Sequence, residues 1–183
     1  MGVKVITAAA QAIPTADLRA HCNSVAADDA LLVGFCLAAQ GYAEHYTGRS
    51  IGSQTLELAL DEFPAGAIEL PQGPVTGITS IKYIDSAGTE QTLSGTLYAL
   101  DDYGIQCWGV PKVDTTWPAT MAAANAVKVL YVAGALPPAV RAALLLIVGN
   151  LYENREQSIV GTIVSELPLG VKSLLDTVKV WSF

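Results

Sequence analysis

Between Pro137 and Glu156 the chain carries a run of residues that can fold in very few ways. Two prolines open it, which a helix tolerates because its first N–H groups have no intrahelical partner. Val140, Ala143, Leu144, Ile147 and Leu151 then recur at helical spacing and mark one face. Leu145, Leu146 and Val148 extend the apolar character almost all round, so the helix is expected to be buried on more than one side. A rod of about 19 residues is ~28 Å long. Its fully apolar part, Ala142 to Gly149, is far shorter than the ~20 residues a membrane span needs. The last turn switches to Glu153-Asn154-Arg155-Glu156, which requires water or a charged partner.

A helix of this kind needs something to pack against, and composition indicates what. Of 183 residues 51 % are apolar and only 15 % charged, which is lean in charge for a monomer of this size. Part of the surplus is alanine. The rest is surface expected to be covered by other copies or partners. Net charge is −7 with no basic run, so a groove that grips DNA through clustered Lys and Arg is disfavoured. Cys22, Cys36 and Cys107 are odd in number and lack a CxxC spacing, and read as buried free thiols of an intracellular protein. The opening residues have one Lys and a short apolar stretch rather than the long core of a signal peptide, and read as a cytosolic start that extends along a neighbour.

In chain order, Thr15 is placed to cap a short helix over Ala16 to about Asn23. A second helix starts near Asp28-Asp29 and carries Leu31, Leu32, Phe35, Ala38, Ala39, Tyr42 and Tyr46 on one broad face, ending at Gly48. Gly34 and Gly41 lie inside it and cost about 1 kcal/mol each against Ala, which suits close approach of another backbone. From Ser53 the hydrophobic period falls to two. Leu56, Leu58 and Leu60 alternate with polar residues, followed by short strands at Ile68–Leu70, Ile78–Asp85, Thr89–Leu93, Leu97–Leu100, Ile105–Trp108 and Ala126–Val132. Ser86-Ala87-Gly88 predicts a hairpin between the third and fourth of these seven segments. Helical character returns over Pro138–Glu156 and about Pro168–Asp176, before an extended end over Thr177–Phe183. The fold class is therefore α+β: a helical bundle module from residues 1–50 and 135–183, with an antiparallel β-sandwich or barrel-like domain, residues 51–134, inserted between its halves.

No constellation for catalysis stands out. His45 beside Glu44 points about 100° away on a helix, so the pair cannot easily share a metal with the only other histidine, His21. Asp28-Asp29 and Asp101-Asp102 read as a helix start and a turn, and Cys107 has no basic neighbour to activate it. Ser50, Ser53 and Ser158 sit in no nucleophile elbow, and Gly149 and Gly161 belong to no phosphate loop. The reading is of a non-enzyme with no cofactor and no metal.

The order of short motifs resembles the tailed-phage head–tail connector (adaptor) family, in its prophage-type branch with an inserted β domain. The matching pieces are Leu18-Arg19-Ala20-His21, Asp28-Asp29, Ala38-Ala39, Glu44, Thr47-Gly48-Arg49, Phe63-Pro64, Ile68-Glu69-Leu70-Pro71 with Pro74-Val75, Ser80 to Asp85, Gly88, Tyr98 to Asp101, Trp117-Pro118, Val127 to Gly134, Pro138 to Glu156, and Leu167 to Val171 with Leu174-Leu175. The resemblance implies a structural virion protein, a ring of about twelve or thirteen copies at the head–tail junction, assembled in the host bacterial cytoplasm. Its partners would be other copies, the portal protein and a tail-completion or stopper protein. DNA would pass through the channel without sequence-specific binding, and no membrane is involved. The expected interface residues are Leu31, Phe35, Tyr42 and Tyr46 on the second helix, and Val140, Leu144, Ile147, Leu151, Tyr152, Glu153, Arg155 and Glu156 on the long one. The ends, Met1–Ala10 and Thr177–Phe183, are expected docking segments. The alternative is a monomeric β-sandwich binding module, tail-associated or carbohydrate-binding, with Tyr83, Tyr98, Tyr103, Trp108 and Trp117 as its contact surface.

Overall fold

The structure, a computed structural model, describes residues 2–104, 106–154 and 169–180. The chain divides into two compact units, one of residues 1–9 and 53–135, the other of residues 10–52 and 136–183. The fold is α+β, with all strand pairs antiparallel.

In the β unit, the period-two alternation sets which face is buried. β2 (Gln54–Leu60) and β8 (Val127–Ala133) pair with Leu56 opposite Tyr131 and Leu58 opposite Val129, all buried. β4 (Val75–Ile84) lies on the far side of β8, and β5 (Glu90–Thr92) closes that edge through the expected hairpin. Asp85 holds the hairpin turn. It accepts from the N–H groups of Ala87 (2.9 Å) and Thr89 (3.0 Å) and from Gln91 Nε2 (2.9 Å), and these donors, Thr89 first, pull its carboxyl below the usual range. A second sheet, in the order β3 (Ile68–Leu70), β7 (Cys107–Pro111), β6 (Tyr98–Asp101), supplies Ile68, Leu70, Tyr98 and Cys107 to the same core. Tyr131 is fully buried and its hydroxyl donates to the Pro71 carbonyl at 2.9 Å, while burial raises its pKa.

The two sheets come close at Gly109. A Cβ there would lie 3.3 Å from Ile78 Cδ1 and 3.8 Å from Ile68 Cβ. Gly109→Val is therefore expected to cost about 1–3 kcal/mol by overpacking. Trimming the neighbour with Ile78→Ala should make the double variant less destabilised than the two single losses summed, read by thermal melting. Strict additivity would mean that the sheets do not meet there.

The first strand was not anticipated. β1 (Gly2–Thr7), expected as a tail along a neighbour, is the outer strand of the five-stranded sheet β1-β2-β8-β4-β5. Val3 opposes Leu58 and Lys4 opposes Glu57, so β2 satisfies its backbone groups. The expected Ile105–Trp108 strand runs instead over Cys107–Pro111, Ile105 lying outside the described residues.

In the helical unit, α1 (Thr15–Cys22), α2 (Asp29–Thr47), α3 (Pro138–Glu153) and α4 (Leu169–Asp176) share one core. A 3-10 turn, Ala26–Asp28, leads into α2. Leu18, Leu32, Cys36, Ala39, Ala43, Ala143, Leu144, Val148, Val171 and Leu175 are buried there. Asn23 and Gly48, both left-handed, end α1 and α2. Thr15 makes no side-chain cap; α1 follows Pro14 directly. Among the described residues no single helix is long and apolar enough to cross a membrane.

Candidate functional site

Several of the chemically suggestive residues have structural roles in the helical unit. Glu44 Oε1 accepts from the N–H of Ile51 (2.8 Å) and Gly52 (3.1 Å) and from Gln40 Nε2 (3.4 Å). Gln40, almost fully buried, accepts from Ala12 N–H at 3.0 Å and donates to the Ala10 carbonyl at 3.2 Å. One turn of α2 thus holds both the segment that enters the helical unit and the one that leaves it. Sequence reading missed this use of Gln40; the Gln–Glu pair at i, i+4 beside two chain crossings was the available signal. His21 lies against Gly149, where a Cβ would come within 3.2 Å of Nε2, so that glycine serves the α1–α3 contact. Cys22 is partly buried, and burial and then the charge of Glu153 push its thiol up; burial does the same to Cys36. Cys107 Sγ receives the Val75 N–H at 3.4 Å. Among the described residues no group of three or more His, Cys, Asp or Glu could hold a metal.

The expected interface residues separate by face. Val140, Leu144 and Ile147 point into the chain's own core, because regular helical spacing marks the side a helix turns to its nearest partners, which here are α1, α2 and α4. Phe35, Tyr42, Tyr46, Leu151 and Tyr152 are half-buried against the edge of that core. Tyr42 and Tyr46 stack with centroids 6.0 Å apart, Lys179 Nζ sits 4.3 Å over the Tyr46 ring, and the Tyr46 hydroxyl donates to Asp176 at 2.7 Å. That bond raises the Tyr46 pKa. Tyr152 donates to Asp28 at 2.5 Å and so fastens the end of α3 to the turn before α2. Leu31 and Glu153 are exposed. Arg155 and Glu156 lie outside the described residues. The end expected to be extended over Thr177–Phe183 instead turns at Thr177 and Val178, where Val178 N–H bonds to the Leu175 carbonyl at 3.1 Å, and Val180 N–H bonds back to the Thr47 carbonyl at 2.9 Å; residues 181–183 lie outside the described residues.

What remains on the surface is two uncharged stripes. On α2, Ala30, Leu31, Gly34, Leu37, Ala38 and Gly41 face outward, and no charged residue occurs between Asp29 and Glu44. On α3 the outward residues are Ala142, Leu146 and Asn150, with none charged between Arg141 and Glu153. Leu37 and Leu146 are 44 % and 45 % exposed. Ion pairs stand at the stripe beginnings, Arg19–Asp29 (2.5 Å) and Arg141–Asp17 (2.8 Å).

The aromatic residues of the β unit form no open platform. Phe63 stacks on Trp117 at 5.1 Å and meets Tyr83 at 5.7 Å, while Trp117 Nε1 donates to the Gly66 carbonyl. Tyr98 is buried and Trp108 half-buried; only Tyr103 of the five stands fully in solvent.

This chain shares its fold with chains of gene transfer agent particles. One from the virion of a native particle superposes with a TM-score of 0.78 at 24 % identity, covering 100 % of this chain and 97 % of the other. A chain from the neck of an empty particle, computed with C6 symmetry, gives 0.76 at 25 % identity, with the same coverage. A chain from the neck of a native particle, computed with C12 symmetry, gives 0.73 at 24 %. No protein-family model matches the chain, and no curated protein matches it in sequence. The likeness spans both units, so it includes the β insertion as well as the helices.

Proposed function

We propose that this chain is a structural protein of a tailed-phage or phage-like particle, a head–tail connector that forms a ring in the neck between portal and tail and extends the DNA channel. The observation that carries the reading is the full-length likeness to neck chains of particles computed with sixfold and twelvefold symmetry. Three features of the chain support it. Charge is sparse, which suits surface buried between copies. The net charge of −7 suits a channel wall past which DNA must slide without adhering. The helical unit presents two separate uncharged surfaces, as a head-to-tail contact in a closed ring requires. In this reading the partners are further copies of the chain, a portal protein and a tail-completion or stopper protein, and the chain catalyses no reaction.

Light scattering after size exclusion, with negative-stain imaging of any large species, tests the ring. The expected result is a particle of about a dozen subunits with a central hole, its share growing with protein concentration. A strict monomer that also fails to bind portal rings would remove the connector reading.

A further inference from the structure

We infer that β1 takes a further strand from the next copy in the ring, and that the donor is residues 158–164, the run between α3 and α4. The contact rests on the ring reading and adds a strand pairing to the two uncharged stripes.

Among the described residues the two sheets end in four edge strands. Three are short: β5 and β3 have three residues each and β6 has four. β1 has six, and β2 pairs with only one side of it. Natural sheets usually guard such an edge against further pairing. β1 has little guard: a single charge, Lys4, set opposite Glu57, and a bulge confined to its last residues. The core is also open there. Val5 lies opposite Leu56 and shares its face of the sheet, yet Leu56 is fully buried and Val5 is 49 % exposed. Ile6, the next residue, is 47 % exposed. A strand laid along β1 would use its outer row of backbone groups and cover both side chains.

Residues 155–168 lie outside the described residues, and their sequence points to the donor. In the run 158–164, Ile159, Val160, Thr162, Ile163 and Val164 are β-branched, and the run has no charge and no proline. That composition pairs readily as a strand and is a hazard if left without a partner. Charges bound it, Arg155 and Glu156 before and Glu166 after, with Pro168 beyond. Successive residues of a strand face opposite ways, so Ile159 and Ile163 would cover one face and Val160 and Val164 the other. This matches an edge at which Val5 and Ile6 are both half exposed. The run also sits midway between Asn154, which ends α3, and Leu169, which begins α4. Seven extended residues from either helix end reach ~23 Å, so the midpoint is the part that extends furthest. An edge and a donor are two different surfaces, as a head-to-tail contact in a closed ring requires. Given to its own chain, the strand would join nothing; given to the next, it links every copy to its neighbour.

Disulfide trapping in the full chain tests the contact. In a Cys22→Ser background, Lys4→Cys is mixed in turn with variants that carry one cysteine at each position from 158 to 164. Each is checked for parental melting and exposed to a mild oxidant. Lys4 is exposed, and paired strands hold opposite Cα atoms within disulfide range. Heterodimer yield is expected to alternate with period two along the run, several-fold between successive positions, and to exceed several-fold the homodimer of either variant alone. Even yields along the run, or homodimer equal to the mixture, would overturn the pairing. So would a chain with both cysteines that closes on itself as a monomer. Rings in the microscope without the mixed disulfide would overturn the strand contact and leave the ring reading standing. The ring reading falls with it only if rings and portal binding are absent as well. Thr162→Pro/Ile163→Pro gives an independent readout, since successive N–H groups point to opposite sides and one proline must remove a bond to β1. The ring share at fixed concentration is expected to fall several-fold with the melting of the dilute chain unchanged, and an undiminished share would overturn the contact.

Discussion

Leu144→Asp is expected to abolish the helical unit. Leu144 is fully buried among α1, α2 and α4, at the centre of the face that the sequence periodicity marks. Truncating a buried leucine costs about 2–5 kcal/mol through lost transfer energy and cavity. An unpaired buried carboxylate adds several kcal/mol more. Together these approach the whole stability of a typical domain, about 5–15 kcal/mol. Far-UV circular dichroism during urea titration should show most helical signal lost before denaturant is added. Two residues along, Leu146→Asp places the same charge on the outer face and should leave the unfolding free energy within about 0.5 kcal/mol of the parent. The same substitution should prevent assembly, since a carboxylate would then interrupt an uncharged stripe that the ring reading buries between copies. Retention of the parental midpoint by Leu144→Asp would show that the inward face has been misassigned.

Tyr131→Ala should have a comparable effect on the β unit. Its ring fills the centre of the sandwich opposite Leu56, and its hydroxyl satisfies the Pro71 carbonyl. Removing an aromatic side chain of this size from a core costs about 3–5 kcal/mol. Tyr131→Phe separates the two contributions. It retains the packing, removes one hydrogen bond and is expected to cost about 1–2 kcal/mol. Near-UV dichroism and thermal melting rank the three proteins, and a Phe variant as unstable as the Ala variant would place the energy in the hydroxyl rather than the ring.

Much of the fold is legible in the sequence because its two hydrophobic periods are clean. Leu56-Leu58 and Val127-Val129-Tyr131 alternate on a half-buried sheet, and Val140-Ala143-Leu144-Ile147 follows the helical repeat. β1 was less legible because an edge strand with almost every residue exposed has no buried face to impose a pattern. The pairing of β2 with β8 is equally hidden, since partners about 70 residues apart leave no local trace. The contact surface was the hardest part. α3 is apolar nearly all round, so Leu144 and Leu146 are alike as letters, and the spacing that identified candidates selects the inward ones. On α2 the exposed stripe is made of small residues, whose significance emerges only once the glycines are found facing open space.

The outer strand β1 joins the chain's opening residues to a partner, Gln54–Leu60, whose other neighbour is Val127–Ala133. The helical unit is likewise interrupted, α2 at Asp29–Thr47 packing on α3 at Pro138–Glu153. During synthesis, then, the β core cannot close before β8, which ends at Ala133, and the helical core cannot close before α3, which ends at Glu153. The first two-thirds of the chain can form pairs such as β1–β2, β3–β7 and α1–α2, but β8 and α3, the central partners of the two cores, are still to come. High separation between contacting segments slows folding and prolongs exposure of such surfaces. Premature association through the helix faces is then a hazard, and the delayed arrival of α3 limits it: a copy can offer both of its uncharged stripes only after α3 has formed.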